Sequence, residues 1–321
     1  MAEWNHTPDL PLRVNPLWAW PPDPGAVMRW YAGAWIGLTA NVAIVLISVF
    51  AWLWVSPTLA EAALPGVWML EIWLRNALIL LALAGALHWW FHGAEMQGAA
   101  KKYDPRPYPR QGRVFTWNDQ LRDNVTWSLG SGAFVWSAFE CLIWLGLGQG
   151  WITGMHFADH PIWFFAFFFL LPLWESFYFY WVHRLLHSKA LYRFHALHHR
   201  NTDVGPWSGL SMHPVEHVLF FGSVLIHFVM PTHPLHLVFH LQYYALFAAI
   251  THTGHEGLWI KGAKRLALGT FHHQMHHRYF EVNYGSLEIP WDLLFGTFHD
   301  GTEAGKSMMR ARLKERRQSG G

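Results

Sequence analysis

The stretch Ile162–His199, IWFFAFFFLLPLWESFYFYWVHRLLHSKALYRFHALHH, decides how the rest of the chain is read. Its first half is an uncharged aromatic and aliphatic run, long enough to cross a bilayer as a helix, which takes about 20 residues. Its second half holds five histidines: His183, His187, His195, His198 and His199. A spacing of four places His183 and His187 on one helix face, about one turn apart. His195 and His198 repeat that logic at i,i+3, with His199 beside them. Rings placed this way at the end of an apolar run can share a metal ion.

Composition agrees with a membrane protein. Of 321 residues, 52% are hydrophobic and 14% charged, and 22 are Trp. The usual charged share is about 25%, and indole favours the headgroup interface. A formal net charge of +2 is too small for a nucleic-acid binder. The single cysteine, Cys141, excludes an intramolecular disulfide and a cysteine-based zinc site. The first residues lack the basic and apolar pattern of a cleavable signal peptide.

Four long apolar runs are expected to span: roughly Ala34–Val55, Val67–Phe91, Val125–Trp151 and Ile162–Val182. The second contains Glu71 and Arg75, an i,i+4 pair expected to neutralise itself on one face. Two shorter runs, Val215–Val229 and Leu235–Ile250, either barely span or dip into the bilayer as a hairpin. Lys and Arg cluster at Lys101–Arg122, Arg184–Arg200, Lys261–Arg278 and Lys306–Arg317, and the other connectors have none. The positive-inside rule then places both termini and the histidine clusters on the cytoplasmic side. The expected fold is all-α, a multi-pass helical membrane bundle with a cytoplasmic histidine-rich di-metal cap. Its parts would be an N-terminal peripheral segment (1–32), N-terminal transmembrane helices (33–160), a histidine-bearing domain (161–300) and a basic C-terminal tail (301–321).

Of 23 histidines, 17 lie between His183 and His277. FHHQMHH supplies His272, His273, His276 and His277, and THTGH supplies His252 and His255. One ion takes four to six ligands, so eight or nine convergent imidazoles suggest two ions. Imidazole suits zinc, iron, copper and nickel alike. His6, His156, His160, His227, His233, His236 and His299 are expected to be ordinary amphipathic interface residues, and His88 with His92 to pack at the interface. His213–His217, HPVEH, matches an H-x-x-E-H metalloprotease string poorly, because Pro214 occupies its second position. Glu175, costing about 2.5–3.5 kcal/mol if central in a span, is expected to orient a ligand histidine or pair with a cation. His240 is a candidate for a similar supporting place.

These residues resemble the fatty acid hydroxylase/sterol desaturase superfamily of integral membrane oxygenases. YWVHRLLH (Tyr180–His187), HALHH (His195–His199) and FHHQMHH (Phe271–His277) resemble its three histidine boxes in order. SMHPVEH (Ser211–His217) resembles its polar loop, and NYGSLEIPWDLLFGT (Asn283–Thr297) its closing segment. The resemblance covers roughly Phe165–Thr297, and the first 120 or so residues match nothing recognisable. It implies a non-haem di-iron centre, with zinc as a possible substitute, that uses O2 to hydroxylate or desaturate a lipid C–H bond. Carried over box by box, the ligands would be His183, His187, His195, His198, His199, His252, His273, His276 and His277. His255, His272, Glu175 and His240 are less certain as ligands or as groups behind them. No fused cytochrome domain and no G-x-G-x-x-G is visible, so electrons would come from a separate donor, a ferredoxin or a cytochrome with its reductase. Arg184, Arg200 and Arg278, like Arg193, would bind a lipid headgroup or dock that donor. The competing reading is a histidine-rich divalent-metal transporter or sensor without catalysis.

Overall fold

The computed structural model describes residues 3–32 and 40–318. Apolar runs fold as helices, and the polar intervals between them supply caps and loops. Asp23 caps α1 (Pro24–Tyr31), which precedes α2 (Ala40–Trp54). A reciprocal Thr58–Glu61 capping box opens the short α3 (Leu59–Ala62). α4 (Trp68–His88) continues through a π-helical turn to Gly93. α5 (Gln120–Trp127) passes through another π-helical turn into α6 (Ala133–Gly148). α7 spans Pro161–Leu186, with Pro161 at the first turn, where a missing N–H costs nothing.

Among the described residues, three continuous helices are long and apolar enough to cross a membrane: Trp68–Gly93, Gln120–Gly148 and Pro161–Leu186. The expected first span, Ala34–Val55, lies partly outside the described residues; its described part is the 15-residue α2. Beyond α7 come α8 (Tyr192–His199), a 3-10 turn at Pro206–Leu210, α9 (Pro214–Phe221) and a 3-10 segment to Phe228. α10 (Pro234–Thr251) follows, then β1 (Leu258–Ile260) and β2 (Ala263–Leu266). The chain ends with α11 (Phe271–Tyr279), α12 (Trp291–Leu294) and α13 (Glu303–Gln318). The fold is thus mostly helical, with one antiparallel hairpin that the all-α expectation omitted. Its two turn residues, Lys261 and Gly262, both have positive φ, as a tight hairpin turn requires.

α10 is the axis of the packing. It is buried along nearly its whole length and contacts α2, α4, α6 and α7. A helix that is apolar all round belongs inside a bundle rather than on its surface. Gly209 lets the Pro206–Leu210 turn rest directly on it: a Cβ there would lie 2.3 Å from the Ala248 carbonyl oxygen.

Two expectations fail for one reason, which is that sequence neighbours are not the neighbours that matter. Arg75 does not pair with Glu71, which is exposed. It faces α6, where its guanidinium lies 2.5 Å from Glu140, and Asn76 Nδ2 donates to the other Glu140 oxygen at 2.9 Å. His227, His236 and His299 are buried, not interfacial. His236 sits on the central helix and donates from Nε2 to the Phe164 carbonyl at 2.9 Å. His299 stacks on Tyr279, with centroids 5.4 Å apart.

Candidate metal centre

α7 carries His183 and His187 on its last turn and into its C-terminal cap. α8 presents His195, His198 and His199 across two turns. α11 starts at Thr270, whose hydroxyl caps the His273 N–H at 3.3 Å, and presents His273, His276 and His277. His252 stands where α10 ends. Helical spacing puts the rings of each segment on one face, and the tertiary fold turns those faces toward one another.

Two groups result. In one, His183, His187, His195, His199 and His276 place a ring nitrogen each within 4.8 Å of one another; in the other, His198, His252, His273 and His277 do the same. All nine are buried. These are the nine rings that the resemblance singled out. His255, His272, Glu175 and His240 lie outside both groups, as do His88, His92, His213 and His217.

The hydrogen bonds behind the rings show what the cluster can hold. His183 Nδ1 lies 2.6 Å from the Tyr284 carbonyl, His276 Nδ1 2.6 Å from that of Val282, and His252 Nδ1 2.6 Å from that of Ala248. A carbonyl only accepts, so each Nδ1 carries the proton and each Nε2 presents a lone pair. His195 Nδ1 donates in the same way to Glu216 at 2.7 Å. The His183 and His195 Nε2 atoms then face each other 3.1 Å apart, lone pair to lone pair. His199 Nε2 is 3.0 Å from both His187 Nε2 and His276 Nε2. In the second group, Nε2 of His252 is 3.0 Å from that of His273 and 3.2 Å from that of His277, and those two are 3.1 Å apart. Three such contacts need three protons, and only His273 and His277 have one to offer. A cation at each of the two centres would resolve these oppositions, and ring N–H donation to a carbonyl or carboxylate is what aims a histidine at a metal. The donor set, imidazole throughout, fits a transition metal.

Burial supports the same state. It holds His195, His198, His199, His273, His276 and His277 well below the ordinary histidine pKa, and takes His252 down to about 4. These seven rings are therefore neutral at pH 7, the protonation state a metal ligand needs.

Several supporting groups escaped the sequence reading. Glu216, inside the weak HPVEH string, is the acceptor behind His195. His213 instead caps α9 through Nδ1, and His217 donates to the Leu210 carbonyl. Asp292 accepts from the backbone N–H groups of Tyr284 and Gly285, each at 2.8 Å, and so fixes the carbonyl that holds His183. Its position in the Trp-Asp pair of the closing segment was the available signal. His272 lies 3.7 Å from this same carboxylate. His255 stacks on Phe91. Glu175 accepts from Ser223 at 2.7 Å and from His240. Among the arginines, Arg200 is engaged internally, 2.5 Å from Asp123, because the loop after α8 folds against α5. Arg278 lies over the Trp4 ring, and Arg184 donates to the Tyr180 hydroxyl.

Below the rings opens a cavity of about 570 Å³, within the range of small-molecule sites. His183, His195, His198, His252 and His273 line one part of it, and Phe179, Phe220, Tyr244, Phe247 and Met212 line much of the rest.

Residues 165–297 match the fatty acid hydroxylase family model. This domain, less than half of the chain, is similar to the fatty acid hydroxylase/sterol desaturase superfamily. It is 34% identical to the putative Delta(7)-sterol-C5(6)-desaturase 2 of Arabidopsis thaliana, over 46% of this chain and 54% of that protein. It is 34% identical to the lathosterol oxidase of Mus musculus, over 40% and 43%. It is 33% identical to a Delta(7)-sterol 5(6)-desaturase of Saccharomyces cerevisiae, over 37% and 32%. The chain thus spans about half, or less, of the length of the curated relatives it matches. The superfamily match begins inside α7, so α1–α6 lie outside it. No solved structure matches.

Proposed function

We propose that this protein is a membrane-bound di-iron oxygenase that uses O2 and external electrons to desaturate or hydroxylate a C–H bond of a sterol or related lipid. The observation that carries the reading is the pair of histidine groups at one end of an apolar cavity. The names of the relatives add sterol desaturation as the reaction class. One ion would be held by His183, His187, His195, His199 and His276, and the other by His198, His252, His273 and His277. Two irons bound there would supply the redox chemistry that activates O2 toward an unactivated C–H bond.

The rest of the work falls to the chain's own residues. The carbonyls of Tyr284, Val282 and Ala248 hold protons on Nδ1 of their histidines, which keeps each Nε2 aimed inward. Glu216 does the same for His195. Phe179, Phe220 and Phe247 exclude water and grip the apolar body of the substrate. That grip selects which carbon reaches the rings, so the choice of reacting bond is a matter of positioning. The histidine layer and both termini are assigned to the cytoplasmic side on the distribution of Lys and Arg, and the electron donor to a separate ferredoxin or cytochrome. Residues 161–300 form the proposed catalytic domain, with 33–160 as supporting transmembrane helices and 1–32 and 301–321 as peripheral ends.

The test is lipid profiling. Purified protein with iron, O2 and an electron-donor system is given a panel of sterols and fatty acyl lipids. A desaturated or hydroxylated product that disappears in the His198→Ala variant is the expected result. Oxidation of none of them by an iron-loaded protein contradicts the reading.

A further inference from the structure

The cavity holds polar atoms that the metal centre does not use. Glu175 lines its wall and is 3% exposed. One carboxylate oxygen, Oε1, accepts from Ser223 and from His240. The other, Oε2, is buried with no hydrogen-bond partner. Tyr244 lines the same cavity, is 7% exposed, and its hydroxyl is likewise buried and unpartnered. The two belong together. Tyr244 follows His240 by four residues on α10, one turn further along the face that meets Glu175. Phe220 fixes the Tyr244 ring, stacked at 3.8 Å between centroids and 2° from parallel.

A buried carboxylate oxygen and a buried phenol left unpaired are both costly in an apolar wall. The carboxylate requires a donor, and the phenol proton requires an acceptor. A hydroxyl group answers both. An alkyl chain answers neither, and an anionic headgroup would be repelled by Glu175.

We propose that Glu175 Oε2 and the Tyr244 hydroxyl form a subsite that binds a hydroxyl group of the lipid substrate. His240, His227 and Ser223 hold the carboxylate in place: His240 Nδ1 meets His227 Nε2 at 2.9 Å, and His227 Nδ1 meets the Thr232 hydroxyl at 2.8 Å. Glu175 precedes His183 by eight residues on α7, which is a rise of about 12 Å. The substrate is therefore a hydroxylated lipid whose hydroxyl sits about two helical turns from the carbon presented to the rings. This inference rests on the reading of the cavity as a lipid site and on no property of the metal.

The test is a binding measurement without turnover. Dodecan-1-ol, dodecane and dodecylamine compete with a fluorescent alkyl probe on the full-length, metal-loaded protein in detergent. Wild type is expected to prefer the alcohol to the alkane by about tenfold or more. Tyr244→Phe and Glu175→Gln should each cut that preference to under about threefold while leaving dodecane affinity unchanged, which also shows that the cavity survives. Equal affinity for alcohol and alkane in wild type, as expected if only water fills the subsite, overturns the proposal. So does a preference retained in both variants, or tighter binding of the amine than of the alcohol. Because no oxidation is read, a protein that keeps the alcohol preference yet oxidises nothing would count against the oxygenase reading alone.

Discussion

Two sets of buried histidines in this chain make opposite demands. In the layer above the cavity, ring nitrogens meet ring nitrogens, and the protons of His183, His195, His252 and His276 are held on the far side by backbone carbonyls and Glu216. Those four rings have no proton left for the inner contacts. Deeper in the bundle, His227 and His240 form a chain that ends on oxygens at both sides, Thr232 at one end and Glu175 at the other. One proton shared between His240 and Glu175 completes that chain. Burial is alike in the two sets, so burial and residue type do not mark a metal site. The direction in which the protons are pinned does.

The comparison can be broken at its strongest point by His199→Ala. His199 Nε2 meets two other rings, so its loss should empty the five-ring site and reduce product formation by more than the roughly 100-fold typical for a supporting group. Elemental analysis and turnover read both effects. A second buried polar set, Arg75–Asn76–Glu140, closes on itself like the deeper histidines. Glu140→Ala leaves the Arg75 charge buried and should cost about 3–5 kcal/mol in unfolding free energy, with metal still bound in the folded fraction. Glu216→Gln keeps the shape but weakens the hold on the His195 proton. It should cost about 10- to 100-fold in metal affinity or activity, measured by chelator competition. The mildest change is His227→Ala, which opens one end of the closed chain. It should lower stability by about 1–3 kcal/mol and leave metal content unchanged; metal loss there would erase the distinction between the two sets.

The contrast also explains what the sequence could disclose. The histidine clusters were legible because i,i+3 and i,i+4 spacing on helices fixes which side chains share a face, whereas the choice of nine rings without His255 and His272 came from the family resemblance, since spacing fits those two equally well. The long apolar helices were legible from run length alone. Glu216 was hidden, because HPVEH reads equally well as a poor protease string, and only the fold shows the carboxylate behind His195. The carbonyls of Tyr284, Val282 and Ala248 have no side-chain signature at all. Arg75 misled because a carboxylate four residues away looked sufficient, whereas the helix turns Arg75 toward α6. The buried His227 and His236 misled because the sequence does not reveal that α10, which carries His236 and whose His240 meets His227, lies inside the bundle, where rings meet neighbouring helices instead of headgroups.

Completion of the histidine layer by two metal ions is open to a direct test. The most direct measurement is elemental analysis of the detergent-purified protein beside a His198→Ala/His276→Ala variant, which removes one ring from each group. About two transition-metal ions per chain, iron or zinc substituting for it, are expected in the wild type, and none of them in the variant. A folded wild-type protein that carries no metal, and takes up none when iron or zinc is supplied, would contradict it.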